Sequence, residues 1–307
     1  MKPAKKILNS MPLEIIHEIL SKLIPIQRLV IRKVSCNFRY IIDEYFGIKE
    51  LAIEHGNYKH PFLALKLEKG TISYMNSRST RYACSVQVLG KRRKMKKGDS
   101  VDFVLNDLSN LMKDKVFKLD ALKIEYPTWI YKDNLDVFVS TIPLILKSAK
   151  SLHVKEVEFR SGWSIEEMAQ MLQCIEKVEG IEIHKPGPLD ALVPLDQWKM
   201  AKSVIALDKQ SLLDIGNIFH LHQFKLQLVR ISREELVKIR DVLLKSTNFE
   251  YGIIYLVEHT TENIGTLFNP EYNGLPNGSM RYKTGDNNFF ICFNFHYFEI
   301  RKSVENT

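Results

Sequence analysis

Between Met11 and Phe46, 20 of 36 residues are hydrophobic, or 56%, against 45% for the whole 307-residue chain. A unit that short cannot enclose so much apolar surface by itself. It must cover that surface with the rest of the chain, with another protein, or with both, because a dense exposed apolar patch marks an interface. The first helix expected here sharpens the point. With Leu13 at the origin and about 100° per residue, Ile15, Ile16, Ile19, Leu20, Leu23 and Ile24 join Leu13 in an arc of roughly 180°. An ordinary surface helix needs an apolar stripe of only about 100°. The excess width means that this helix buries two surfaces. Pro12 suits its first position, Glu14 complements the dipole of its first turn, and Pro25 ends it by disfavouring helical geometry at Ile24. Two further short helices are expected at 26–33 and 36–46.

Charge narrows the choice of partner less than the net value of +8 suggests. Lys91-Arg92-Arg93-Lys94-Met95-Lys96-Lys97 holds six cations in seven positions, and Lys2, Lys5 and Lys6 hold three more. Those nine leave the rest of the chain at −1. The flanks 84–89 and 100–105 alternate as strands do, so 91–97 is expected to be the loop of a hairpin. A solvated loop tip is the plain reading, and a nuclear-localisation or phosphate-contacting patch is the alternative. No aromatic residue within the block is placed to stack on bases.

Several chemistries lack their motifs. Cys36, Cys84, Cys174 and Cys292 are scattered with no C-x-x-C pair, which points to a reduced, intracellular protein rather than to zinc or a disulfide framework. His17-Glu18 opens like a zincin helix, but Ser21 stands where the second His is needed. His220 and His222 could share a strand face without a third ligand nearby. The chain has no G-x-S-x-G, G-x-G-x-x-G or G-x-x-x-x-G-K-[ST]. No cofactor, metal or catalytic residue is expected. No apolar run reaches the ~18 residues of a membrane span.

Met11-Pro12-Leu13-Glu14-Ile15-Ile16-His17-Glu18-Ile19-Leu20-Ser21-Lys22-Leu23 resembles the opening helix of an F-box. Pro25 to Arg39 resembles the remainder, through the Leu23-x-Pro25 break, Leu29, and the run Val34-Ser35-Cys36-x-Phe38. Met11 stands where Leu is common, and Cys36-Asn37 replaces a more usual small or basic pair. The resemblance implies binding to the Skp adaptor, and through it a cullin, in an SCF-type ubiquitin ligase. It maps the Skp contact onto Pro12, Leu13, Ile16, Ile19, Leu20, Leu23, Leu29, Val34 and Phe38. A three-helix cap without a partner is the competing reading of the same residues.

After about residue 52 the chain reads as short strands, among them 63–67 and 71–75. Beyond about 108, strands alternate with amphipathic helices. Strand patterns near 122, 152 and 181 recur at spacings of 30 and 29, and two helices open on S-x-x-E capping boxes, Ser164 to Glu167 and Ser232 to Glu235. This periodicity suggests an irregular solenoid of leucine-rich-repeat character, with a doubly wound sheet as its competitor. The Met and Leu stripes of these helices read as core. Leu152-His153-Val154-Lys155-Glu156-Val157 and the stretch from Trp198 to Leu207 resemble the FTH domain of a large nematode F-box family, which implies recruitment of a protein target by residues the resemblance does not identify. Trp129, Trp163 and Trp198 are possible anchors, with core packing as their plainer role.

The expected fold is thus α+β / α/β: a three-helix F-box at 8–48, a strand-rich connecting region at 49–107, and an α/β leucine-rich-repeat-like domain at 108–302. The expected function is a cytoplasmic substrate-recognition adaptor, with a nuclear location allowed by the basic block. An F-box scaffold that does not lead to ubiquitylation is the alternative. A nucleic-acid binder acting through 91–97, and an enzyme within the α/β region, are weaker ones.

Overall fold

The computed structural model describes residues 11–303, apart from 24, 33–37, 39–40, 43–47, 57–61, 68–69, 77–83, 89–90, 95–97, 114, 129–131, 161, 185–186, 208–212, 259–262 and 276. The chain divides into two compact units, Met1–Val154 and Lys155–Thr307.

The first unit opens with helices α1, Leu13–Lys22, and α2, Pro25–Arg32. Phe38, Ile41 and Ile42 are also helical, and the rest of the third expected helix lies outside the described residues. Strands β1, Glu50–His55, β2, Leu63–Leu67, β3, Gly70–Asn76, β4, Cys84–Val88, and β5, Lys91–Lys94, follow. Then come helix α3, Ser100–Met112, strand β6, Val116–Glu125, and helix α4, Lys132–Lys147. The strand order is open, β6-β1-β2-β3-β4-β5. β1 lies parallel to β6, and each later pair is antiparallel.

Two local expectations are corrected here. The basic residues 91–94 do not form a hairpin loop; they form β5, with Val88 paired to Lys91 and Ser85 to Lys94. Residues 95–97 lie outside the described set. The expected strand 100–105 is the start of α3, so the expected boundary at 107/108 falls inside a helix. Asp99 caps α3, its carboxylate accepting a hydrogen bond from the Val101 amide at 2.9 Å. Val101, Val104, Leu105, Leu108, Leu111 and Met112 are buried, a 3.6-residue period. Val101, Phe103 and Leu105 also satisfy a period of two over six residues. Only the longer window separates the two readings.

β7, Ser151–Arg160, runs across the division at Val154. The second unit continues with α5, Ile165–Leu172, β8, Lys177–His184, α6, Asp196–Met200, β9, Ser203–Leu207, β10, Gln223–Leu228, α7, Arg233–Asp241, β11, Tyr251–Leu256, and α8, Ile264–Phe268. It ends in β12, Gly278–Thr284, β13, Asn287–Phe293, and β14, Tyr297–Lys302. Neighbouring strands β8-β9-β10-β11 are consecutive and parallel, whereas β11-β14-β13-β12 are antiparallel. The architecture is therefore mixed α/β, with strands in open, mixed order.

Both capping boxes form. Ser164 and Ser232 accept from the amides of Glu167 and Glu235, and each Glu side chain returns the bond to the amide of its Ser. α5 stops at Leu172, and Lys177 already begins β8. The strands enter the sheet through a repeated irregularity. Two successive amides share one carbonyl: Asp120 and Ala121 on Lys49, His222 and Gln223 on Lys202, Glu250 and Tyr251 on His222. Such bulges fix where side-chain alternation begins. In the second unit one face then carries the core, Val204, Phe224, Leu226, Ile254, Phe289, Ile291, Phe298 and Ile300. Phe268 of α8 stacks on Phe298 at 5.6 Å between ring centroids. Trp163 and Trp198 are buried in this unit, which settles them as core; Trp129 lies outside the described residues.

Candidate functional site

The N-terminal helices carry the strongest functional signature, and their geometry sorts the expected contact residues into two sets. Ile16, Leu20 and Phe38 form a small core with Ile41 and Ile42, against which Leu23 and Ile31 pack half-buried. Leu20 is 0% exposed. Arg28 of α2 donates from Nε to the Leu20 carbonyl at 3.0 Å, which ties α2 to the end of α1. Three of the residues expected to touch the Skp adaptor, Ile16, Leu20 and Phe38, are buried in this chain. Pro12, Leu13 and Ile19 do reach solvent, together with Met11 and Ile15, which the resemblance did not include. Leu29 is helical, but its side chain, like all of Val34, lies outside the described residues.

The exposed set is large for so short a helix. Leu13 is 47% exposed, Ile15 45% and Ile19 42%, and Val30 of α2 is 59% exposed. The broad apolar arc read from the sequence is divided between two sides. One half fills the helical core, and the other faces outward. The exposure of Ile15 was signalled by that arc, since a core helix has no need of apolar side chains over half its circumference.

Glu158 of β7 and Glu182 and His184 of β8 place one ligand atom each within 4.8 Å of one another. His184 Nε2 lies 3.3 Å from Glu158 Oε1 and 3.0 Å from Glu182 Oε1. No metal ligand was expected in the sequence, where these residues are 24 positions apart; only the pairing of neighbouring strands brings them together. Arg160 also bonds Glu158 Oε1, so side chains already supply positive charge there. His220 and His222 do not share a strand: both precede β10, and His220 Nε2 contacts the Trp198 carbonyl oxygen at 2.9 Å. A depression at the start of α5 is lined by Trp163, Ser164, Ile165, Glu166, Gly187 and Pro188, and the Ser164 hydroxyl there is engaged in its capping box.

Two buried titratable groups in the first unit serve structure. Tyr74 is fully buried and donates to Asp107 of α3 at 2.7 Å, joining β3 to that helix. Burial, then this carboxylate, pushes its phenol well above the ordinary tyrosine range. Burial, reinforced by the charge of Asp99, pushes the Cys84 thiol up to about 11. An unreactive thiol in a core is the opposite of a catalytic nucleophile.

Comparisons with known proteins identify two domains. The F-box domain matches residues 8–45, and the FTH domain matches residues 136–271. The chain is 25% identical over 282 residues to F-box A protein 224 of Caenorhabditis elegans, an alignment covering 88% of this chain and 72% of the relative. No solved structure matches. Among the described residues no helix is long and apolar enough to cross a membrane. The chain is an F-box protein, with an F-box domain at its N-terminus and an FTH domain after it, and a distant homologue of the C. elegans F-box A protein.

Proposed function

We propose that this protein is the substrate-recognition adaptor of an SCF-type ubiquitin ligase. The F-box binds a Skp adaptor, and through it a cullin, while the C-terminal region holds a protein target. The observation that carries this reading is the division of α1. Ile16 and Leu20 are spent on the F-box core, yet Leu13, Ile15 and Ile19 remain 42–47% exposed. Apolar side chains held on a rigid helix lose little entropy on docking, so they suit insertion into an apolar groove. Pro12 and Met11 extend the same surface at the helix start, and Leu23 sits at its margin.

The role needs no catalytic residue and no cofactor in this chain. An adaptor accelerates transfer by raising the local concentration of target beside the charged enzyme held elsewhere in the complex. Parallel, consecutive β8-β9-β10-β11, joined by helical segments, support a leucine-rich-repeat-like reading of that part of the target-binding region. Its work is cytoplasmic.

The test is capture of a purified Skp adaptor by the full chain and by an Ile15→Asp/Ile19→Asp variant. The wild-type chain retains the adaptor and the variant loses it, with an unchanged thermal midpoint. Retention by the variant, or no retention by the wild type, removes the proposal. Accumulation of a bound target in cells carrying the variant separates ubiquitylation from scaffolding; an unchanged target level favours the scaffold.

A further inference from the structure

The face of the second unit opposite its core is exposed and patterned. Register sets one row of side chains across four strands: Arg281 of β12 pairs with Phe290 of β13, Phe290 with Arg301 of β14, and Arg301 with Tyr251 of β11. These residues alternate with the core positions Ile291, Ile300 and Tyr282, so their side chains project to the open side. Phe290 is 40% exposed, an unusual state for a phenylalanine in mid-strand, and it lies between two arginines. Two rows on, beyond the row of Ile253 and Glu299, Tyr255 is 39% exposed and pairs with Tyr297. Arg301 lies over the Tyr251 ring, 5.9 Å from its centroid.

Over β11–β14 this face is cationic: Arg281, Lys283 and Arg301 stand against Glu299, which Arg301 holds at 2.6 Å. Arg281 and Lys283 are exposed and form no ion pair among the described residues. We infer that this face binds an acidic protein segment that carries an aromatic or large aliphatic side chain between its carboxylates. The apolar side chain seats on Phe290, and the carboxylates pair with Arg281 and Arg301. Strands spaced about 4.8 Å apart put the two arginine backbones ~10 Å from one another, the span of about three extended residues. The inference rests on the reading of this region as the target-binding part of the adaptor, and it names the chemistry of the target.

A random 12-residue peptide display library, panned on the immobilised full-length chain, tests it. Enriched peptides are expected to carry two or more Asp or Glu flanking Phe, Tyr, Trp, Leu or Ile. The most enriched peptide, labelled with fluorescein, should bind by anisotropy and lose at least tenfold in affinity with Arg281→Glu or with Phe290→Ala. Both sites are on the surface, so thermal midpoints stay unchanged and a loss is not a folding failure. Enrichment of basic or neutral peptides overturns the inference. So does no enrichment, equal binding by the variants, or tighter binding of a labelled uridine 12-mer RNA. Skp capture runs in parallel: its failure with intact peptide binding removes the adaptor role alone, and the reverse removes this surface alone.

Discussion

Leu20 and Ile19 are neighbours in sequence with opposite surroundings, so truncating them should separate stability from binding. Leu20 is 0% exposed and packs in a core of five buried residues. Leu20→Ala removes three carbons from a site with little else to fill it, at a cost of about 2–5 kcal/mol. Taking 3 kcal/mol, the opening equilibrium of the helical region rises roughly a hundredfold. Amide exchange in peptides covering Leu13–Arg32 should then accelerate by that factor, while peptides from β8–β11 keep their protection. Adaptor binding falls only by the fraction of time the helices are open. Leu13, Ile15 and Ile19 are the converse. Fully burying a Leu or Ile is worth about 1.5–3 kcal/mol, and these three retain nearly half their exposure. Docking can therefore still gain about 2–4 kcal/mol from them, or roughly 30- to 1,000-fold in affinity. The triple Ala variant should lose that affinity with almost unchanged exchange rates. If Leu20→Ala leaves exchange unaltered yet weakens adaptor binding as much as the triple variant does, the assignment of Leu20 to the interior is wrong.

Three further expectations concern the scaffold. A methyl group at Gly252 would stand 2.4 Å from Phe224 Cζ, and the Phe224 ring is held by Phe249 at 5.7 Å; Gly252→Ala should cost about 1–3 kcal/mol in chemical denaturation. Tyr74→Phe deletes the 2.7 Å bond to Asp107 and should cost about 1–2 kcal/mol, whereas equal stability would show that bond to be dispensable. Cys84 should resist alkylation in the folded protein until the pH approaches 11. Because its folded value lies above the ordinary thiol value of 9.0, its contribution to stability is full below about pH 9 and is lost as the pH rises through 11. Rapid labelling of Cys84 at pH 8 under native conditions would contradict its burial.

How much of this was legible follows from the length scale of each signal. The wide apolar arc of α1 and the two capping boxes are local patterns, and the folded chain uses them as read. The period of two across Val101–Leu105 was also local, but too short to outvote the helical period that runs on to Met112. Which half of the α1 arc faces inward was not legible, because Ile16 and Ile19 are the same residue type and only Phe38, Ile41 and Ile42 choose between them. The arginine–phenylalanine row is less legible still. Arg281, Phe290 and Arg301 become neighbours through strand register alone, and no spacing along the chain announces it.

The basic run at 91–94 changes its physical meaning once it is a strand. β5 ends the strand order of the first unit, so among the described residues one of its edges has no partner strand there. An edge strand offers free amides and carbonyls to any other chain, and cationic residues on it are a common guard against such pairing. Four consecutive cations, Lys91-Arg92-Arg93-Lys94, fit that role without any nucleic acid. Replacing all four by Thr keeps strand propensity and removes the charge. The variant should associate at concentrations where the wild type is monomeric, measured by static light scattering. High salt should push the wild type the same way by screening the charges. A nucleic-acid role makes the opposite demand: the substitutions would abolish salt-sensitive binding to RNA or DNA and leave the association state untouched. A variant that stays monomeric at every concentration the wild type tolerates would refute the edge-guard reading.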